Sequence, residues 1–98
     1  MKDDIHPLFE RVRDNPARSR FELDAYGAIA LADYHISAGV MDLNHTLVRP
    51  ELRGKGVAAE LIKGALLEAR RRNLKVNARC SYVEAYLRRN PEFADLQA

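Results

Sequence analysis

The sequence predicts an α+β domain in which helices pack on a mixed β-sheet. Between residues 21 and 49, apolar and polar residues alternate in runs separated by short turns, which is typical of an antiparallel meander. Residues 56–72 instead repeat apolar residues at helical spacing. A short apolar run and a second helical segment follow. Since a strand reached through a helix pairs in parallel, we expect a meander, a helix, a parallel strand and a C-terminal helix.

Composition favours one small globular domain over residues 1–98, with residues 1–7 as a loose arm. The chain has 98 residues, 47% of them hydrophobic, enough for a modest core. No apolar leader follows Met1, and the longest apolar stretch, residues 25–32, is too short to span a bilayer. Cys80 is the single cysteine and excludes an intrachain disulfide. We therefore expect a cytoplasmic protein with no membrane partner.

The net charge of +2 is distributed unevenly along the chain. Residues 1–48 carry five Lys/Arg and eight Asp/Glu, whereas residues 49–98 carry eleven and six, giving −3 and +5. This imbalance favours an anionic ligand bound by the second half. Nucleic acid is an unlikely partner, because the positive charge is neither strong nor contiguous.

The first half of the chain predicts four strands. Residues 8–13 are compatible with a short strand that stops at the turn cluster 14–16, and residues 21–25 alternate as a strand. Residues 28–36 predict a third strand, which a hairpin connection joins to residues 40–49. Regular alternation in this last strand places His45 on the apolar face unless a β-bulge shifts the register.

The second half predicts two helices around one strand. Residues 56–72 form the first helix, with an expected ion pair between Glu68 and Arg72 and a stop at Asn73. Residues 74–79 form the parallel strand. Ser81 is then expected to open the second helix as a capping box with Glu84. Its predicted buried stripe includes Tyr82, Ala85 and Tyr86, and Asn90-Pro91 ends it.

A glycine turn, residues 53–58, connects the fourth strand to the first helix. Glycines at a strand-to-helix junction expose the backbone N–H groups of a helix N-terminus, which suits phosphate. A plain helix-entry turn is the alternative. The spacing excludes a P-loop, because Lys55 is followed by Gly56 rather than Ser or Thr. A dinucleotide site is disfavoured, since Ala59 occupies its third glycine position and no acidic residue ends the next strand.

The segment Arg53-Gly54-Lys55-Gly56-Val57-Ala58 resembles the Arg/Gln-x-x-Gly-x-Gly/Ala signature of GNAT acetyltransferases. His45-Thr46 and the segment from Cys80 to Phe93 are similar to the short stand-alone GNAT-like N-acetyltransferase family, of the N-acetyltransferase domain-containing protein 1 type. The resemblance implies that acetyl-CoA is the cosubstrate. Its pantetheine would lie between strands 43–48 and 76–80. The implied CoA-binding residues are Thr46, Leu47, Val48, Arg53, Gly54, Lys55, Gly56, Val57, Ala58, Arg79 and Cys80.

Three residues are candidates for the chemistry. Cys80 precedes a predicted helix, where a thiol pKa is lowered, and the resemblance makes it an acetyl acceptor or a partner of the CoA thiol. His45 is a candidate general base because histidine is the side chain most often used for that role near neutral pH, and Tyr86 matches the position of a tyrosine that protonates the leaving thiolate in larger GNAT enzymes. Each has an alternative role in packing. The spacing of the histidines indicates no metal site.

The leading functional prediction is an acetyl-CoA-dependent N-acetyltransferase acting on an amine of a small molecule or protein. A non-catalytic acyl-CoA-binding module with a regulatory or partner role is the alternative, because the N-terminal helices that wall the acceptor site of larger GNAT enzymes are missing. A small nucleic-acid-binding domain is a weaker third possibility. The sequence identifies neither the acceptor nor the oligomeric state.

Overall fold

The computed structural model describes residues 7–98, which form one five-stranded sheet with two α-helices. The chain order and the sheet order of the strands are the same. Strands β1 to β4 pair antiparallel in sequence, and β5 pairs parallel to β4 after α1. The predicted α+β order of elements is thus confirmed, whereas the arm predicted for residues 1–7 lies outside the described residues except for Pro7. The elements are β1 Arg13–Asn15, β2 Arg20–Ala25, β3 Ala28–Ser37, β4 Val40–Leu47, α1 Val57–Arg71, β5 Lys75–Ala78 and α2 Ser81–Arg89.

The strand predicted for residues 8–13 is wrong in its first part. Leu8–Arg11 is a 3-10 helix, and β1 begins only at Arg13, extending into the predicted turn. The 3-10 helix packs on α1, where the Phe9 amide donates to Glu60 Oε1 at 2.9 Å and the Lys63 ammonium lies 4.2 Å from the centre of the Phe9 ring. Contacts with a helix 50 residues away therefore override the local pattern.

Two tight turns build the meander, as predicted. Tyr26 and Gly27 connect β2 to β3 with φ of 53° and 80°, and Ala38 and Gly39 connect β3 to β4 with φ of 52° and 78°. Left-handed backbone at both central residues produces the turn twist that matches antiparallel strands. Both turns keep the apolar side chains of the strands that they connect on the same face of the sheet.

The sheet has one buried face and one open face. Alternate residues of the central strands, such as Leu23, Ala32 and Met41, are almost completely buried, and α1 packs on this face against β2, β3 and β5. The intervening residues point the other way, and there Ile29 remains 49% exposed and Leu47 47% exposed. The helices therefore cover one side of the sheet, and we refer to the other side as the open face.

Helix α1 buries the predicted apolar stripe and ends where predicted. Asn73, with φ of 58°, is the left-handed residue just beyond the helix. The predicted ion pair between Glu68 and Arg72 does not form. Glu68 binds Arg71 at 2.5 Å, and Arg72 instead reaches Asp14 on β1 at 3.3 Å. The buried residues of the helix are Val57, Leu61, Ile62, Ala65, Leu66 and Ala69.

Helix α2 differs from the prediction at its start. Cys80 is its N-cap residue, no side chain caps the helix, and Ser81 is the first helical residue, so the predicted capping box is wrong. Asn90 ends the helix as expected. Beyond it, Gln97 forms a parallel bridge with Val76, which places the chain end on the outer edge of β5.

Candidate functional site

A β-bulge in β4 decides which side chains face each side of the sheet. Asp33 pairs with His45 whereas the next residue, Tyr34, pairs with Leu43, so Asn44 has no counterpart on β3. The extra residue reverses the alternation from this point. Thr46, 6% exposed, therefore joins the buried face, while His45 turns to the open face. Placement of His45 on the apolar face, the expectation from regular alternation, is wrong for this reason.

Strands β4 and β5 separate at the bulge. Their pairing runs from Val40 to Leu43 and closes with the Arg79 amide donating to the Leu43 carbonyl at 3.0 Å. Beyond Leu43, β4 continues to Leu47 paired with β3, and no described strand pairs with its other edge. The resemblance implied this separation. The free edge of β4 presents backbone groups to which an extended ligand can bind as an added strand.

A side-chain hydrogen bond crosses the gap between the separated strands. The Cys80 thiol donates to Thr46 Oγ1, with 3.3 Å between sulfur and oxygen. Cys80 is half-buried at the N-terminus of α2. Two residues that are 34 positions apart in sequence, both candidates for the site, are thus brought into contact.

The glycine turn lies at the same end of the sheet as this gap. Gly54 and Gly56 have φ of 82° and 76°, and Gly56 is the N-cap residue of α1. A Cβ on either glycine would meet nothing within 4 Å, so the backbone is open to an approaching ligand. Arg53 and Lys55 are exposed, and the Lys55 ammonium lies 5.2 Å from the centre of the Tyr26 ring. The N-terminus of a 15-residue helix, two open glycines and two cations together suit a phosphate group.

A cavity of about 320 Å³ extends from the glycine turn to α2. Tyr82, 41% exposed, lines it rather than the core, and Ala85 and Tyr86 are half-buried. The predicted buried stripe of α2 is therefore wrong, because the buried residues of this helix are Val83 and Leu87. Tyr82 and Ala85 were not predicted to belong to the site, whereas the pair Arg88-Arg89 was one of two arginine groups considered for the CoA 3′-phosphate. The helical spacing of Tyr82, Ala85 and Tyr86 is typical of a core stripe, so the sequence pattern alone does not separate them from core residues. The lining residues are Val48, Leu52, Arg53, Gly54, Gly56, Val57, Ala58, Ala59, Ile62, Tyr82, Ala85, Tyr86 and Arg89.

The predicted catalytic residues occupy three different surroundings. Tyr86 lines the cavity, with its ring centre 6.0 Å from that of Phe93. Burial raises the pKa of Tyr86, and the charges of Glu92 and Glu60 raise it further, so the phenol stays protonated and able to donate. Cys80 lies against Thr46, whereas His45 is on the open face. The structure therefore does not bring His45 and Cys80 together on one side of the sheet.

Residues 7–98 contain no group of three or more His, Cys, Asp or Glu side chains arranged to hold a metal ion. No helix within the same residues has the length and apolar character needed to cross a bilayer.

Comparison with known proteins agrees with this geometry. A family model described as GCN5-related N-acetyl-transferase matches residues 20–96. Protein NATD1 of mouse and of human is each 33% identical to the chain over 85 residues; the match covers 83% of this chain and 76% and 74% of those proteins.

A solved structure has the same fold. The solution NMR structure of a GCN5-like protein from Staphylococcus aureus superposes with a TM-score of 0.70 at 27% identity, covering 94% of this chain and 89% of that one. The family match and this superposition span the separated strands, the glycine turn and both helices. The chain belongs to the GCN5-related N-acetyltransferase family.

Proposed function

We propose that this protein binds acetyl-CoA and transfers its acetyl group to a primary amine. The observation that carries the proposal is the separation of β4 and β5 at Leu43, next to the open N-terminus of α1. These two features provide a strand edge and an anion site at one end of the sheet. An elongated ligand with a pyrophosphate and an amide-containing arm requires that combination.

The residues present fit CoA in charge and in shape. The backbone N–H groups of Gly54, Gly56 and the first turn of α1 would hold the pyrophosphate, with Arg53 and Lys55 adding positive charge. The exposed edge of β4 at residues 46–48, opposite Arg79 and Cys80, would hold the pantetheine. The adjoining cavity, lined by Tyr82 and Arg89, offers an apolar wall and a further cation.

Acetyl transfer needs an uncharged amine, and it releases a thiolate that takes up a proton. The bound cosubstrate supplies an activated acyl group as a thioester. On our proposal His45 accepts the proton of the amine on the open face, and Tyr86 holds the proton given to the leaving thiolate. Cys80 lies at the gap in contact with Thr46, where its thiol would either accept the acetyl group first or position the thioester.

One observation favours a second function, a non-catalytic acyl-CoA-binding module. His45 and Cys80 lie on opposite sides of the sheet, and no described element covers the open face beside His45. A site without an acceptor wall orients an amine less well, and orientation supplies much of the catalytic rate. Such a module would bind acetyl-CoA through the same glycine turn.

Two measurements separate these functions. Isothermal titration of the full chain with acetyl-CoA tests binding, and release of free thiol in the presence of an amine panel tests turnover. Binding together with amine-dependent thiol release supports the transferase. Binding without release for any amine assigns the module instead, and absence of binding contradicts both.

A further inference from the structure

The open face carries a compact apolar strip beside the proposed reaction site. Leu31 on β3 pairs directly with Leu47 on β4, and Ile29 lies two residues along β3 on the same face. Ile29 and Leu47 are each about half exposed, at 49% and 47%, and Leu31 is half-buried. At the other end of the strip, Asp33 pairs with His45. We call these five residues the acceptor face.

Asp33 gives this surface an uncompensated negative charge. Its neighbour on β2 is Arg20, but the Arg20 guanidinium turns along its own strand and binds Glu22 at 2.8 Å. Asn15 donates to the same Glu22 carboxylate at 3.0 Å. Among residues 7–98, no side chain forms an ion pair or a hydrogen bond with the Asp33 carboxylate. A carboxylate without a partner attracts a cationic group to that point of the surface.

The remaining charges on the open face lie further from the proposed site. Asp24 pairs with Ile29 at the far end of the strip, and its side chain also has no partner among the described residues. Arg13 on the edge strand β1 lies opposite Glu22 in the strand register. The acceptor face therefore has an apolar centre with Asp33 at one end, and Asp24 of β2 lies beside the other end. Glu22, opposite Leu31, is bound by Arg20 and Asn15.

We propose that the acceptor face binds an extended, lysine-bearing protein segment, with the lysine ammonium at Asp33 and His45 and neighbouring apolar side chains on Ile29, Leu31 and Leu47. This inference rests on the proposed transferase function and specifies its substrate class. His45 takes a proton from the ammonium beside Asp33. The freed amine then forms the new N–C bond as the C–S bond of the thioester breaks. The second proton of the nitrogen passes to solvent, and the departing thiolate takes the Tyr86 hydroxyl proton, which solvent replaces.

The shape of the surface favours a protein segment over a small amine. From Ile29 to Asp33 the strip runs four residues along β3, about 13 Å at the usual rise per residue. Small molecules bind in concave sites that enclose most of their surface, whereas this face is an uncovered sheet. An extended peptide contacts such a face through alternate side chains, so a lysine and an apolar residue two positions away would both touch it.

The experiment uses the full chain, acetyl-CoA and two end-blocked peptides, Leu-Gly-Lys-Gly-Leu and Ser-Gly-Lys-Gly-Ser, in which the variable residues lie two positions from the lysine. Amide chemical shifts of the ¹⁵N-labelled protein locate the bound peptide, and mass spectrometry measures acetylation. We expect the leucine peptide to shift the resonances of residues 29–33 and 45–47 and to be acetylated with the higher kcat/KM. Isothermal titration with acetyl-CoA is run in parallel.

Three variants test the surface residue by residue. Asp33→Asn should lower kcat/KM for the leucine peptide about threefold to fivefold, the usual size of an exposed ion pair. Ile29→Thr should lower it about threefold for the leucine peptide only, because the serine peptide has no apolar contact to lose. Glu84→Gln on α2 removes one negative charge elsewhere and should change nothing. All three variants should bind acetyl-CoA like the unaltered protein.

The outcomes distinguish this proposal from the function on which it rests. If the unaltered protein does not bind acetyl-CoA, the proposed transferase function is refuted. Peptide-induced shifts on the acceptor face would in that case still support docking there. Equal kcat/KM for both peptides, or shifts confined to the helical side, would overturn the docking proposal alone. If sedimentation shows that the unaltered protein is a dimer and that Ile29→Thr is a monomer, the face binds a second copy of the chain and the docking proposal is also overturned.

Discussion

The Cys80 thiol and the Thr46 hydroxyl form a 3.3 Å hydrogen bond across the gap where β4 and β5 have separated. Thr46 reaches this position only because the bulge at Asn44 turns it to the buried face. The same extra residue sends His45 to the open face and coincides with the end of β4–β5 pairing at Leu43. One inserted residue therefore shapes both sides of the proposed site.

The position of Cys80 predicts a variant that separates binding from turnover. Cys80→Ala should leave acetyl-CoA affinity within about twofold, because one weak thiol hydrogen bond contributes little to binding. If Cys80 takes part in the chemistry, amine-dependent thiol release should fall at least about tenfold. Ser81→Ala, at the next residue, is the control, since Ser81 is exposed and caps nothing. Unchanged thiol release in Cys80→Ala would remove this residue from the mechanism.

The glycine turn predicts a difference between two matched glycine variants. Gly56 and Gly39 have nearly equal φ, 76° and 78°, and a Cβ on either would meet nothing within 4 Å. Alanine at each position should therefore lower the free energy of unfolding by a similar amount, about 1 kcal/mol, through backbone strain. Only Gly56→Ala places a methyl group beside the N-terminus of α1, so only it should weaken acetyl-CoA binding.

Chemical denaturation and isothermal titration check this pair. We expect acetyl-CoA affinity to drop about tenfold in Gly56→Ala, since the methyl group holds the pyrophosphate away from the backbone N–H groups. Equal affinities of Gly56→Ala and Gly39→Ala would contradict the assignment of the pyrophosphate to this turn.

The close packing at Gly64 in α1 predicts that alanine at this position destabilises the protein, the opposite of its usual effect in a helix. Alanine normally stabilises a helix interior by about 1 kcal/mol relative to glycine. Here a Cβ would lie 2.5 Å from Val12 Cγ2 and 2.9 Å from the Phe9 carbonyl oxygen. Gly64→Ala should therefore lower the free energy of unfolding by about 1–3 kcal/mol through overpacking against the N-terminal 3-10 helix.

Urea denaturation of Gly64→Ala checks this reversal. Ala59→Gly at an exposed position of the same helix is the control, and it should lose only the propensity difference of about 1 kcal/mol. A stabilised Gly64→Ala would show that the 3-10 helix does not pack on α1 as described.

Tyr34 predicts a loss of stability in alkaline solution. Its hydroxyl donates to Asp14 Oδ1 at 2.7 Å, and burial together with this carboxylate raises the pKa of Tyr34 from 10.0 to about 12. Between these values the unfolded chain loses the proton while the folded protein keeps it. The free energy of unfolding should therefore decrease as pH rises through this window, by up to about 1.4 kcal/mol per pH unit.

Denaturation curves at pH 9 and pH 11 check the Tyr34 prediction. Tyr34→Phe removes the titrating group and should flatten the pH dependence, whereas Tyr26→Phe should leave it unchanged because Tyr26 is 66% exposed. Parallel pH profiles for the unaltered protein and Tyr34→Phe would show that other groups cause the alkaline loss.

The fold was predictable from the sequence because its signals are local. Alternation in residues 21–25 and 28–36, the helical stripe of residues 56–72 and the glycine turn each reflect backbone geometry within a few residues. The resemblance of the glycine turn and of the Cys80–Phe93 segment identified the family. The 3-10 helix at Leu8–Arg11 was missed, because its conformation depends on contacts with Glu60 and Lys63 on α1.

Four features of the candidate site required the tertiary structure. The missing cap at Ser81 and the exposure of Tyr82 depend on how α2 sits beside the glycine turn. The contact of Cys80 with Thr46 joins residues that only sheet pairing brings together. The free carboxylate of Asp33 depends on the direction of the Arg20 side chain.

The sequence by itself determined the order of the strands and helices, the glycine turn and the family, because periodicity and turn chemistry are properties of neighbouring residues. The tertiary structure alone decided the side of the sheet on which each site residue lies. The physical reason is the bulge at Asn44, one residue without a partner on β3. In a strand of period two, a single extra residue exchanges the faces of every residue that follows it.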